Sequence, residues 1–89
     1  MYPLRLFCFM NYQLYIIQSL VDGTYYKGIT CDIVKRLAAH NNGESRYTSN
    51  KMPWKLVYIK AMPDKTSALI EEKRIKKLNR ASLEKLISV

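Results

Sequence analysis

The sequence predicts an α+β domain, a three-stranded antiparallel sheet flanked by helices in the order ββαβαα. Three observations predict it. The runs "YQLYIIQSL" and "TYYKGIT" are rich in tyrosine and isoleucine and flank the turn signal "VDGT", which is the pattern of a β-hairpin. A third run, "WKLVYIKAM", follows a polar loop. The stretches after the second and third runs open on residues that cap helices.

Taken in order, residues 1–9, "MYPLRLFCF", lack the basic start, long apolar run and small-residue cleavage site of a signal peptide. They are expected to form an N-terminal extension, with residues 10–89 as the single domain. "MNYQLYII" from Met10 begins the first strand. In the hairpin, Asp22-Gly23 is a pair that tolerates positive φ, and Gly28 permits a close backbone approach or a bulge. Asp32 can cap a helix over Ile33 to Asn42. "NNG" ends it, with Gly43 suited to a left-handed terminus. "ESRYTSNKMP" is a polar, basic loop, and the third strand runs from Trp54 to Met62. Pro63-Asp64 turns the chain. Thr66 or Ser67 caps a second helix reaching Leu78, and Asn79 caps a short third one.

A chain of 89 residues has a modest core and room for one site. With 48% hydrophobic and 25% charged residues it is a folded globule rather than a disordered chain. No apolar run approaches the ~20 residues that a membrane-spanning helix needs. Fifteen Lys and Arg against seven Asp and Glu give a net charge of +8, which points to a polyanionic partner, nucleic acid first. The basic residues are spread along the chain, which disfavours an anionic membrane surface. Cys8 and Cys31 belong to no C-x-x-C pair or Cys/His cluster, which argues against zinc. No feature of the sequence supports a disulfide between them, and they fit a reducing cytoplasm, the expected location.

At about 100° per residue, Ile33, Val34, Leu37 and Ala38 form one apolar arc, and Arg36 and His40 sit at its margin. A cation and an imidazole are thus expected to emerge together where the helix meets the sheet. The plainer reading is an exposed basic edge. The hairpin holds Tyr12, Tyr15, Tyr25 and Tyr26, four of the seven tyrosines. Strand tyrosines are usually structural, yet Tyr15 and Tyr26 flank the turn and can be near neighbours on paired strands. Positive charge from Arg36, His40 and Lys27 is expected to depress a phenol there below its usual value of about 10.

The second helix, "ALIEEKRIKKL", carries Glu71 and Glu72. A Glu72–Lys76 pair at i+4 is the ordinary fate of such a residue. A carboxylate facing a basic, phenolic site is also a ligand for a hard divalent cation. Pro63-Asp64 with Glu71 to Lys73 imitates the PD…(D/E)xK nuclease signature. That site sets its acids on adjacent strands, whereas Glu71 to Lys73 lie in a helical pattern. Arg46, Lys51 and Lys55 interleave with Tyr47 and Trp54, a mixture that can track phosphates and stack on a base. Trp54 reads more readily as core of the third strand.

These residues resemble the GIY-YIG nuclease signature, with "QLY" (Gln13 to Tyr15) standing for GIY and "YKG" (Tyr26 to Gly28) for YIG. The resemblance continues through "DIVKRLAAHN", "GESRYTSNKMPWKLVY" and "SALIEEKRIKKL", so it covers residues 11 to 88, and five separated elements keep the family's order. The chain looks most like the small, stand-alone single-domain GIY-YIG proteins of bacteria. The resemblance implies the same three-stranded sheet flanked by helices. It matches Tyr15 and Tyr26 to the signature tyrosines, and Arg36 and His40 to the helix arginine and its following His or Tyr. It matches Glu72, rather than Glu71, to the metal-binding glutamate. Asn79 falls in the region of an asparagine of some members, although a helix cap explains it equally well. Gln13, Leu14 and Lys27 depart from the signature, and Ile29 stands where some members carry a lysine.

What the resemblance implies is a metal-dependent endonuclease that hydrolyses DNA phosphodiester bonds with low sequence specificity. Glu72 would hold one Mg²⁺ or Mn²⁺, and Arg36 would clamp the scissile phosphate. Tyr15 would act as general base, with His40 accepting or relaying its proton, and Tyr26 would orient the water or bond a phosphate oxygen. Lys27, Arg46, Lys51 and Asn79 are the expected nucleic-acid contacts. The expected partners are nicked, branched or duplex DNA and a protein that supplies specificity, in DNA repair or recombination, with no membrane. The alternative is a non-catalytic nucleic-acid-binding module of the same fold, and a weaker one is a basic adaptor docking on a protein.

Overall fold

Strand β1 (Tyr12–Ser19) is the centre of the sheet, with β2 (Tyr25–Thr30) and β3 (Trp54–Met62) antiparallel on either side. This is a computed structural model, and it describes residues 12–88. The expectations for residues 1–9, including any pairing of Cys8, lie outside the described residues.

A central strand is covered on both faces, so its sequence need not alternate. Leu14, Tyr15, Ile16 and Ile17 are all buried in a row. Leu14 and Ile16 pack with Ile75 of α2 (Lys65–Lys76) and Leu83 of α3 (Arg80–Ile87). Tyr15, Ile17 and Trp54 face the other way and meet Ile33 and Leu37 of α1 (Ile33–Asn41). The order ββαβαα is therefore observed, with α1 on one face of the sheet and α2 and α3 on the other.

The hairpin turn differs from the expected Asp-Gly pair. Ser19 N donates to Thr24 O and Gly23 N donates to Ser19 O, so the loop spans residues 20–23. Only Gly23, at φ +78°, takes the left-handed conformation there; no described non-glycine residue does. Asp22 contributes through its carboxylate instead, which accepts from Thr24 N, Thr24 Oγ1 and Lys51 Nζ.

The helix caps follow the short polar residues that precede each helix. Asp32 accepts from Lys35 N, and Asn79 accepts from Ser82 N. The cap of α2 is Asp64, not Thr66 or Ser67. Its backbone is extended after the proline, and its carboxylate reaches Ser67 N at 2.8 Å. The helix ends at Lys76, short of Leu78. With Asp64 serving as a cap and Glu71 to Lys73 inside α2, no PD…(D/E)xK arrangement exists here.

The face of α1 is rotated from the one the apolar arc suggested. Val34 is 77% exposed and Ala38 is exposed, while His40 is buried at 1%. A polar ring can take the inward position because both of its nitrogens find partners inside.

Candidate active site

Register brings the tyrosines together. Tyr15 stands opposite Gly28 and Ile17 opposite Tyr26, so Tyr15 and Tyr26 share a face as diagonal neighbours. Their ring centroids lie 6.5 Å apart. Gly28 is what lets Tyr15 lie across the neighbouring strand, since a Cβ there would sit 2.6 Å from Tyr15 Oη. The observed role is close approach, and the sheet's one register shift lies instead between β1 and β3. The α1 helix then sets His40 over both rings, 5.9 Å from Tyr15 and 5.1 Å, edge-on, from Tyr26.

A hydrogen-bonded chain runs through this cluster. Arg36 Nε–H donates to Tyr15 Oη at 3.4 Å, Tyr15 Oη lies 3.0 Å from His40 Nε2, and His40 Nδ1 lies 2.8 Å from Thr48 Oγ1. Thr48 was not anticipated. A threonine in a polar loop reads as a turn residue, and only the return of the loop beneath α1 brings it to the imidazole. The loop is pinned there because Thr48 O accepts from Trp54 Nε1–H at 2.9 Å and from Lys51 N. Trp54 is thus core, as its plainer reading held.

Burial decides the electrostatics. The Tyr15 phenol is raised above its ordinary value, chiefly because burial disfavours the phenolate. The hydrogen bond and charge of Arg36 pull it down, the charges of Tyr26 and Glu72 push it up, and the net direction is up. This corrects the expectation of a phenol depressed by surrounding cations. Burial, then the Arg36 charge, lowers His40 below the usual imidazole value, so it is neutral at pH 7. The Arg36 guanidinium makes no other hydrogen bond among the described residues. It stands between a cavity of about 220 Å³, shared with His40, Glu44 and Ser45, and one of about 240 Å³ beside Asp32 and Lys35.

The two glutamates of α2 have different surroundings. Glu71 binds Arg74 through both carboxylate oxygens and Lys60 at 3.4 Å, and these cations lower its pKa. Glu72 forms the expected i,i+4 pair with Lys76, at 3.5 Å. It makes no hydrogen bond to the tyrosine cluster, yet its charge is felt at Tyr15. Among the described residues no three His, Cys, Asp or Glu gather to hold a metal ion. A divalent cation here would rest on the Glu72 carboxylate, a hard oxygen donor, with water completing its shell.

The expected nucleic-acid contacts are dispersed. Lys27 faces the other side of the sheet, in a cavity with Tyr25, Leu78, Arg80 and Leu83. Strand alternation requires this, because Tyr26 and Gly28 take the site face. Lys51 is bound to Asp22 at 2.9 Å and closes the hairpin loop onto the segment before β3. The Asn79 carbonyl is occupied by its cap bond. Arg46 is exposed and makes no ion pair among the described residues, and Tyr47 beside it is 81% exposed.

Residues 11–86 match the GIY-YIG catalytic domain family. The chain belongs to this family. A UPF0213 protein of Halobacterium salinarum is 40% identical over 76 residues, covering 84% of this chain and 97% of that one. A UPF0213 protein of Staphylococcus saprophyticus is 40% identical over 79 residues, covering 88% of this chain and 95% of that one. The solution NMR structure of a UPF0213 protein from Bacillus halodurans has the same fold, with a TM-score of 0.58 at 36% identity over 89% of this chain and 84% of that one. The GIY-YIG domain is a nuclease-type domain, which implies DNA as substrate and, in general, a divalent metal. Among the described residues, no helix is long and apolar enough to cross a membrane.

Proposed function

We propose that this GIY-YIG protein is a metal-dependent endonuclease that hydrolyses DNA phosphodiester bonds with low intrinsic sequence specificity. The observation that carries the reading is the convergence of a buried phenol, a neutral imidazole and a guanidinium with free N–H groups beside a cavity. Arg36 grips the scissile phosphate through those N–H groups and spreads its growing charge. Tyr15 exchanges a proton with the attacking water, and Tyr26 orients that water or bonds a phosphate oxygen. Glu72 holds one Mg²⁺ or Mn²⁺, which when bound supplies positive charge at phosphorus and a more acidic water. A binding module alone would not need the lone Glu72 carboxylate whose charge is felt at Tyr15. Low specificity suits nicked, branched or duplex DNA in repair or recombination in the cytoplasm, with a protein partner choosing the site.

Binding is expected to be electrostatic. Affinity for duplex DNA should fall steeply with salt, by a logarithmic slope of about 0.9 per phosphate contact. Arg46→Ala should reduce that slope by about one contact. Lys51→Ala should instead loosen the hairpin loop, since its ammonium serves Asp22. Salt titration of the full chain checks this, and an affinity that stays flat from low to physiological salt contradicts a phosphate-gripping surface.

A further inference from the structure

The segment between α1 and β3 carries a turn whose two ends belong to the candidate active site. Thr48 N donates to Ser45 O at 3.2 Å, which closes residues 45–48 with Arg46 and Tyr47 at the tip. Ser45 lines the cavity with Arg36 and His40, and Thr48 Oγ1 meets the His40 ring. Thr48 is buried, and its carbonyl accepts from Trp54 Nε1–H and from Lys51 N. Ser49 Oγ–H donates to Arg46 O at 3.4 Å and holds the tip itself. Tyr47 therefore stands on a fixed base next to the cavity that Arg36 lines.

The ring on that base is left in the open. Tyr47 is 81% exposed, whereas Tyr12, Tyr15, Tyr25, Tyr26 and Tyr58 are all buried or half-buried. It makes no hydrogen bond or ring contact among the described residues, so it adds nothing to the core. An aromatic ring presented beside a cation is the arrangement that stacks on nucleic-acid bases. Arg46 is exposed and without an ion pair among the described residues, so its guanidinium is available to a phosphate of the same strand. A ring already fixed in place lowers the ordering cost that stacking has to overcome.

The stack also selects the form of the ligand. A base inside a duplex has neighbours above and below it and offers no face to a ring beside the helix. An unpaired base offers one. We propose that Tyr47 binds an unpaired base of the DNA strand whose phosphates meet Arg46 and Arg36, so that the protein takes single-stranded or branched DNA in preference to intact duplex. The link to cleavage rests on the nuclease reading, whereas the stack does not.

The test is the affinity of the full chain for three DNA ligands, in chelator and at one salt concentration. They are a single strand, a strand of the same length built from stable abasic units, and a closed circular duplex, which has no ends. Tyr47→Ala should weaken binding of the single strand about tenfold, as expected for one lost base–aromatic stack, and leave the abasic strand and the circle unchanged. Tyr47→Phe keeps the ring and should bind all three as the wild type does. A Tyr47→Ala protein that keeps its full affinity for the single strand would overturn the proposal. So would an equal loss on the abasic strand or the circle, a phenylalanine variant that behaves like alanine, or a wild-type chain that does not bind the single strand. With Mg²⁺ or Mn²⁺ and a branched substrate, Tyr47→Ala should raise KM about tenfold at unchanged kcat, and an unchanged KM would overturn the placement of the stack beside the cleaved bond. A chain that cleaves no DNA yet loses single-strand affinity in Tyr47→Ala alone refutes the nuclease reading and leaves the stacking site established.

Discussion

Glu72→Gln is expected to lower cleavage by at least the ~10²-fold that accompanies loss of one charge contact in a transition state. The substitution keeps the side chain's shape and removes the negative charge proposed to hold the cation. Among the described residues its one ion pair is with Lys76, a partly exposed pair of the kind worth little. The fold should therefore be kept. Binding to DNA without metal should persist or tighten, since a negative charge has left a surface that meets phosphate. Glu71→Gln is the internal control. It lies one residue away, about 100° around the helix, and its carboxylate serves Arg74 and Lys60. That variant should lose a little stability and no cleavage. Single-turnover cleavage with Mg²⁺ or Mn²⁺ separates them, and equal behaviour of the two variants would reject Glu72 as the metal ligand.

Tyr15→Phe is expected to remove turnover by roughly 10²- to 10⁴-fold, the range of a general acid–base group. The ring keeps its packing with Ile17 and Trp54, so the chain should still fold. It should lose about 1–3 kcal/mol, because His40 and Arg36 then lose their hydrogen-bond partner in the phenol. A pH profile adds a second readout. Burial holds the phenol above its ordinary value, so the phenolate is the minor form at neutral pH and grows with each unit up to the pKa. The wild-type rate should therefore climb with pH through the neutral range, and the residual Tyr15→Phe rate should climb less. A phenylalanine variant that cleaves at the wild-type rate would remove the phenol from the chemistry.

The fold was legible because its signals are local. Strand runs bounded by a glycine turn, and Asp32 and Asn79 ahead of their helices, need no tertiary information. Local signals failed where two candidates stood close together. Asp64 outcompeted Thr66 and Ser67 as a cap because the residue after Pro63 is already extended. The candidate residues Tyr15, Tyr26, Arg36 and His40 were legible from the family pattern, and the structure brings these four side chains together. Their electrostatics were not legible. Counting nearby cations predicted an acidic phenol, whereas burial raises it, and burial belongs to the packed sheet rather than to any motif. Periodicity likewise set Val34 and Ala38 inward and left His40 at the margin. The partner that makes a buried imidazole tolerable, Thr48, comes from a loop eight residues on, where no spacing rule reaches. Lys51 read as a phosphate contact because its partner Asp22, across the hairpin, is distant in sequence.

The proposed activity is tested most directly by incubating the purified full chain with single-stranded, duplex, nicked and branched DNA, with Mg²⁺, with Mn²⁺ and with chelator. Cleavage of at least one of these substrates is expected with metal, none with chelator, and a loss of about 10²-fold or more in Glu72→Gln at unchanged DNA binding. Salt-sensitive binding to the same panel with no metal-dependent cleavage of any member would contradict a nuclease and leave a nucleic-acid-binding GIY-YIG module in its place.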